Sequence, residues 1–382
     1  VYGLGDGVDY TIFAVRPALH INLQSSGWTN AGTVSSEGAG DDADDNTPKP
    51  TSFSYKYSTF DKYLKNLKGS AKTTAGNTAT GQMCPIPGFK TTNNQGSNYN
   101  RYIPQGLCRA GDYYLVTAYY ENYTYETVVY VLDSNRKYVT TLVLRNLKEH
   151  HNGGVTYDGT NVWLCGPGTN KLLYIKYSTL KDKVNQAKSS GAHSIAIDVN
   201  TMKLSQPGSA TSCLDYDSQR GILWVGTWKE SVLRGYKVTN KEGTPALSLT
   251  HTITSTDTGL NGFTFSGDYL YASYSTGRKR SDKSYIKRYN CSDLSNTRIY
   301  TPKSASQLAS SKVEVPRMNE DIFVENGRLN VMYESCAKKY ADAYMITDRI
   351  TPLPTSLWGS SVRAASDETA EAQKATGKKT PV

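Results

Sequence analysis

The chain has 382 residues, a net charge of +9, a mean hydropathy of −0.54, 29 tyrosines, 32 glycines and only 7 phenylalanines. That is longer than one ordinary core needs unless the architecture is a closed all-β or repeat fold, and no apolar run approaches the roughly 18 residues of a membrane-spanning helix, which argues against membrane insertion. The basic residues are scattered apart from Arg278-Lys279-Arg280 and no nucleic-acid motif accompanies them, which argues against nucleic acid and leaves an anionic polymer, such as a bacterial wall component, as a candidate partner.

In chain order, residues 1–27 contain "DYTIFAVRPALHINL", extended in character and ending in alternation. Residues 28–79 read as a linker that starts with the Gly/Ser/Asp/Pro-rich "TVSSEGAGDDADDNTPKP" and includes "FDKYLKNLK", whose Phe60, Tyr63, Leu64 and Leu67 have helical spacing. Within it, Asp42, Asp44 and Asn46 alternate as in a calcium loop. Thr47 stands where that loop needs glycine, and Phe53 where it needs glutamate, so no metal site is expected. Residues 361–382 lack apolar pattern and are expected to form a disordered tail.

Residues 80–360 carry the architecture. Five segments align: "PQGLCRAGDYYLVTAYY", "NGGVTYDGTNVWLCGPG", "SCLDYDSQRGILWVGTW", "NGFTFSGDYLYASYS" and "EDIFVENGRLNVMYE". Each gives a short strand, a turn bearing Gly or Asp, and a second strand rich in Leu, Val, Trp and Tyr. A third strand is expected after each, as "VVYVLD", "LLYIKY", "VLRGYKV", "YIKRYN" and "AYMITD". With Gly106, Gly154, Cys213, Gly262 and Asp321 taken as equivalent, the repeat steps are 48, 59, 49 and 59 residues. Repeats of this length built from alternating hairpin strands predict an all-β, five-bladed β-propeller; a sixth blade formed partly by residues 80–103 stays open. Cys108, Cys165 and Cys213 fall inside these strand patterns and are expected to be small buried hydrophobes, since no C-x-x-C accompanies them.

The segment "HHNGG" (150–154) enters the inner strand of the second repeat, in the slot filled elsewhere by "IPQG", "ATSC", "GLNG" and "MNED". Its glycines suit close backbone approach at the axis. The polar residues just ahead should face the channel mouth, making Gln105, His151, Asn152, Asn261, Asn319 and Glu320 a candidate ligand ring. Strand parity brings the loops between second and third strands to the same face, adding Tyr123, Trp228 and Arg278, with Tyr120, Lys229, Lys279, Arg280 and Lys338 nearby. Aromatics and cations above a polar ring suit a sugar or an anionic polymer.

No hydrolase elbow, zinc-protease helix, phosphate loop or dinucleotide fingerprint is present, and no cofactor is expected. Glu320 and Asp321 are adjacent on a strand, so only one faces the site. His151 with Glu320 is the candidate acid/base pair. "DYDSQRGILW" has the tryptophan of a sialidase box at the wrong spacing. The sequence thus points first to a module binding a carbohydrate or anionic wall polymer, second to a glycan hydrolase or lyase, and third to a protein-interaction scaffold.

The stretch "AVRPALHINL" (14–23) resembles the closing strand of an extracellular domain found in multidomain proteins of Gram-positive bacteria, which ends in a pattern like V-R-P-A-L-W-I-N-L; His20 stands in place of its aromatic. Residues 80–355 resemble secreted bacterial propellers in general. The resemblance implies export and an extracellular or wall-associated location, with this chain cut from a larger protein, and it implies no catalytic residues.

Overall fold

Alternating side chains on a strand point to opposite faces, so a strand apolar at every position must be covered on both sides. "ILWVG" on β12 (Ile222–Gly226) is such a strand: Leu223 and Val225 are buried in one cluster, Ile222 and Trp224 in another. "NVWLC" on β7 (Asn161–Cys165) divides likewise, with Trp163 and Cys165 on one side and Val162 and Leu164 on the other. A single sheet of such strands cannot fold alone; stacking sheets around an axis covers both faces of each.

A computed structural model describes residues 84–88, 101–147, 151–206, 208–254, 256–279, 281–296, 299–300, 312–343 and 346–358. All lie in the second of two compact units, 40–382. The expected upstream fragment 1–27, the linker with its helix near residues 60–68, and the tail 361–382 lie outside them.

Five antiparallel sheets form the blades of a five-bladed β-propeller. Blade one runs β2 (Tyr102–Ala110), β3 (Tyr113–Tyr120), β4 (Val128–Leu132) and β5 (Tyr138–Leu144). Blade two runs β6 (Val155–Tyr157), β7, β8 (Lys171–Lys176) and β10 (Asn200–Lys203). Blade three is β11 (Cys213–Asp217), β12, β13 (Val232–Thr239) and β14 (Ala246–Thr254), and blade four is β15 (Leu260–Ser266), β16 (Tyr269–Ser275), β17 (Ser284–Asn290) and β19 (Lys312–Glu314). Blade five is β20 (Asn319–Glu325), β21 (Arg328–Tyr333), β22 (Arg349–Pro354) and, from the other end of the chain, β1 (Cys84–Pro85).

That last pairing settles the question of a sixth blade. Cys84 and Pro85 pair with Ile350 and Arg349, and the Ile86 N–H donates to the Asp348 carbonyl at 2.9 Å, so the segment before β2 clasps the ring shut as the outer strand of blade five. The third strand of blade five corrects one expectation: it is Arg349–Pro354, not "AYMITD" (343–348), whose described residues sit in a loop.

The core is divided among the five seams between blades, each filled by one apolar cluster. Cys108, Cys165 and Cys213 are buried in three of them, as expected. The seam between blades one and two is also covered by an insertion, helix α1 (Tyr177–Ser190), which buries Leu180, Val184 and Ala187 at helical spacing and stops at Gly191 in the left-handed conformation. The chain then lays β9 (Ser194–Ile197) parallel to β5 as a fifth strand of blade one, as β18 (Ile299–Tyr300) does beside β14 in blade three. Among the described residues no helix is long and apolar enough to cross a membrane.

Candidate functional site

The inner strands of blades one, four and five share a defect. β2 has a register shift between Pro104 and Gly106, β15 between Leu260 and Gly262, and β20 between Asn319 and Ile322. A bulge leaves one residue outside the ladder and re-aims its side chain. The residues so released are Gln105, Asn261 and, in blade five, Glu320 with Asp321. Gln105, Asn261 and Glu320 all line one cavity of about 470 Å³ at the end of the channel where the inner strands begin. In blades one and four the glycine after the bulge is required by crowding: a Cβ on Gly106 would lie 2.6 Å from the Gly153 carbonyl oxygen, and one on Gly262 2.5 Å from the Asp321 Cα.

Blade five adds a residue that reading the entry column missed. Met318, at φ 62°, turns the chain into the bulge, and its carbonyl accepts the Glu334 N–H at 3.1 Å. Glu334 directly follows β21, and its carboxyl is hydrogen-bonded to that of Glu320. The pair is held from both sides. Gln105 Nε2 donates to Glu334 Oε2 at 2.9 Å, and Asn261 Nδ2 donates to Glu320 Oε1 at 3.1 Å. Tyr340 also hydrogen-bonds Glu334, and Lys339 lies close enough to favour its charge.

Burial is the main reason that both carboxyls are displaced upward from the ordinary glutamate range. The neighbouring Glu334 pushes Glu320 further, whereas its hydrogen bonds and Lys339 partly offset the effect at Glu334. Two carboxyls in contact cannot both ionise cheaply, so once one of them is ionised the other holds its proton.

His151 lies at the wall beside this pair. Its Nε2 is 2.5 Å from Gln105 Oε1, and its ring stacks on Tyr119 with centroids 4.2 Å apart. Through Gln105 the His151 ring is linked to Glu334 and so to Glu320. Tyr123 is brought in at one remove, stacked on Tyr119 at 5.3 Å and held at φ 60°.

The loops after the second strands of blades three, four and five do share this face. Trp228 and Lys229, Thr276 and Gly277, and Tyr340 line the cavity, and Trp228 is 52% exposed. Arg278 stands outside the wall, 5.8 Å from the Tyr340 ring centre and paired with Asp342 at 3.0 Å. Asn152 and Asn319 are fully buried and do not line the cavity. Asn319 instead supports it: its carbonyl accepts the Asn261 amide at 2.9 Å and its own amide donates to Ser273 Oγ at 2.6 Å. Gln105, Trp228, Asn261 and the acid pair thus come from blades one, three, four and five, which only ring closure brings together.

Asp321 points the other way, into the hub beneath the cavity, where its Oδ2 accepts the Leu107 N–H at 2.9 Å. Among the described residues no group of three or more His, Cys, Asp or Glu side chains has the arrangement to hold a metal ion.

No protein-family model matches the chain, and no curated protein matches it. Several solved structures are similar to part of the chain. Glutaminyl cyclase from Myxococcus xanthus is 12% identical, with 66% of this chain and 90% of that chain covered and a TM-score of 0.38. A putative 6-phosphogluconolactonase from Bacteroides fragilis is 13% identical, with 59% and 61% covered and a TM-score of 0.35. A nidogen/laminin complex is 12% identical over 62% and 78%, with a TM-score of 0.34. Likeness at this level carries no function across.

Proposed function

We propose that the chain binds one end of a carbohydrate in the cavity formed by Gln105, Asn261, Glu320, Glu334 and Trp228. The observation that supports this most is the pairing of a half-exposed tryptophan at the mouth with a floor of amide and carboxyl groups from three blades. A sugar presents an apolar face for stacking and hydroxyls for such a floor. Of the two ligand classes expected from the sequence, an anionic polymer fits the floor less well, because its end would place negative charge against two buried carboxyls. Lys229 and Arg278 near the mouth suit acidic groups further along a chain. The resemblance of residues 14–23 to an exported domain supports an extracellular or wall-associated setting.

The test is a glycan array followed by calorimetry on any hit. Trp228→Ala should abolish binding, and Asn261→Ala should weaken it about tenfold or more, in line with loss of a buried hydrogen bond to a polar ligand. Binding unaffected by Trp228→Ala would remove this reading.

A further inference from the structure

Resting on the sugar-binding reading, we infer that the same cavity hydrolyses an acyl group, an ester or amide, carried by its sugar-sized ligand, with Glu320 and Glu334 acting together on water and the acyl carbonyl. The geometry separates this from glycoside cleavage. Glycosidases place their two carboxyls on opposite sides of the scissile bond, about 5 Å or more apart. Here the two carboxyls come from one blade and lie within hydrogen-bonding reach of each other in the same cavity wall. Paired carboxyls sharing one proton suit addition of water to a carbonyl, where one must take a proton while the other gives one.

Each carboxyl is also fixed at one oxygen by an amide donor from another blade, Gln105 for Glu334 and Asn261 for Glu320. That leaves the second oxygen of each carboxyl for its partner, with Tyr340 as a further hydrogen-bond partner of Glu334. Fixed donors of this kind preserve geometry through the reaction without reorganising.

The step balances within the pair. The ionised carboxylate takes a proton from water as the water oxygen forms a bond to the acyl carbon. The protonated partner gives its proton to the carbonyl oxygen, which receives the π electrons. In collapse, one hydroxyl proton returns to the ionised carboxylate, the C=O bond re-forms, and the bond to the alkoxy or amino group breaks. The leaving group takes its electrons and the proton of the other carboxyl. The pair ends with one proton, as it began, and the products are a carboxylic acid and the freed hydroxyl or amine.

The probes are glucose pentaacetate and N-acetylglucosamine oligomers, with acetate release followed in water enriched in oxygen-18. Wild-type protein should release acetate carrying one labelled oxygen, with a bell-shaped pH profile because only the singly protonated pair is active. Glu320→Gln and Glu334→Gln should each lower release at least a hundredfold, a far larger loss than either causes in sugar affinity. The wild-type pH profile provides a reading independent of whether the variants fold. No release by wild-type protein from either probe would overturn the inference, as would a profile rising monotonically with pH. Sugar binding that depends on Trp228 with no acetate release would sink hydrolysis and leave the binding reading intact; release indifferent to Trp228→Ala would do the reverse.

Discussion

The Asp321 carboxylate accepts the backbone N–H of Leu107 at 2.9 Å, tying the last inner strand of the ring to the first. It also takes the N–H of Val155 in blade two, so one side chain serves three blades. Asp215 does the same for the other side, accepting the Phe265 N–H of blade four at 2.8 Å while facing Thr156 of blade two. Replacing Asp321 by alanine would strand three buried donors, the N–H groups of Leu107, Val155 and Ile322. The expected cost is about 2–4 kcal/mol, read by chemical denaturation with the transition slope unchanged.

Asp215 also sets a pH dependence. Burial raises its carboxyl to about 7, against hydrogen bonds from Phe265 and Tyr216 that favour the charge. The folded state therefore binds more protons than the unfolded state between about pH 4 and 7, and stability falls as pH rises through that window. Asp215→Asn keeps an oxygen for Phe265 and removes the titration. Wild-type protein should lose on the order of 2 kcal/mol more than the variant between pH 4.5 and 7.5. Parallel curves for the two proteins would contradict the assignment.

The seam that closes the ring behaves in the opposite sense. Glu325 on β20 pairs with Arg109 at 2.5 Å and Arg136 at 3.0 Å and accepts the Tyr114 hydroxyl at 2.8 Å, all three from blade one. Burial opposes its charge, but these three donors outweigh that and hold its carboxyl below the usual range. A depressed folded value gives stability that is present above the unfolded pKa and lost as pH falls through the folded one. Glu325→Gln should cost about 1–2 kcal/mol at pH 7, and the difference from wild type should vanish near pH 3.

The five blades were legible because the second strand of each is buried on both faces, which leaves apolar runs at regular spacing. Gln105, Asn261 and Glu320 were legible as a polar column because each occupies the bulge where its inner strand begins. Glu334 was harder to see. It ends a strand whose parity already brought it to the ligand face, but a glutamate beside a loop reads as ordinary surface until its contact with Glu320 is known. The third strand of blade five was obscured by Pro352 and Pro354, which argue against a strand. They are tolerated because β1 pairs with β22 only at Arg349 and Ile350, leaving the proline end of β22 without a ladder partner on that side. Helix α1 falls between two strand repeats and buries only Leu180, Val184 and Ala187, so the β period does not reveal it.

The glycines of "HHNGG" are where the repeat is least tolerant of change. A Cβ on Gly153 would sit 1.8 Å from the Ser212 carbonyl oxygen, a backbone atom of the neighbouring inner strand that cannot swing aside. At Gly168, φ is +71° but open space surrounds the position. Gly153→Ala must therefore push two inner strands apart, while Gly168→Ala meets only the left-handed backbone penalty. The expected costs are about 3 kcal/mol or more for the first and about 1 kcal/mol for the second. Because Gly153 lies two residues from His151 and its displaced neighbour Ser212 lines the cavity, Gly153→Ala should also weaken sugar binding in protein that still folds. Gly168→Ala should leave binding unchanged. Thermal melting and calorimetry on the two variants separate a glycine needed for packing at the axis from one needed only for its turn.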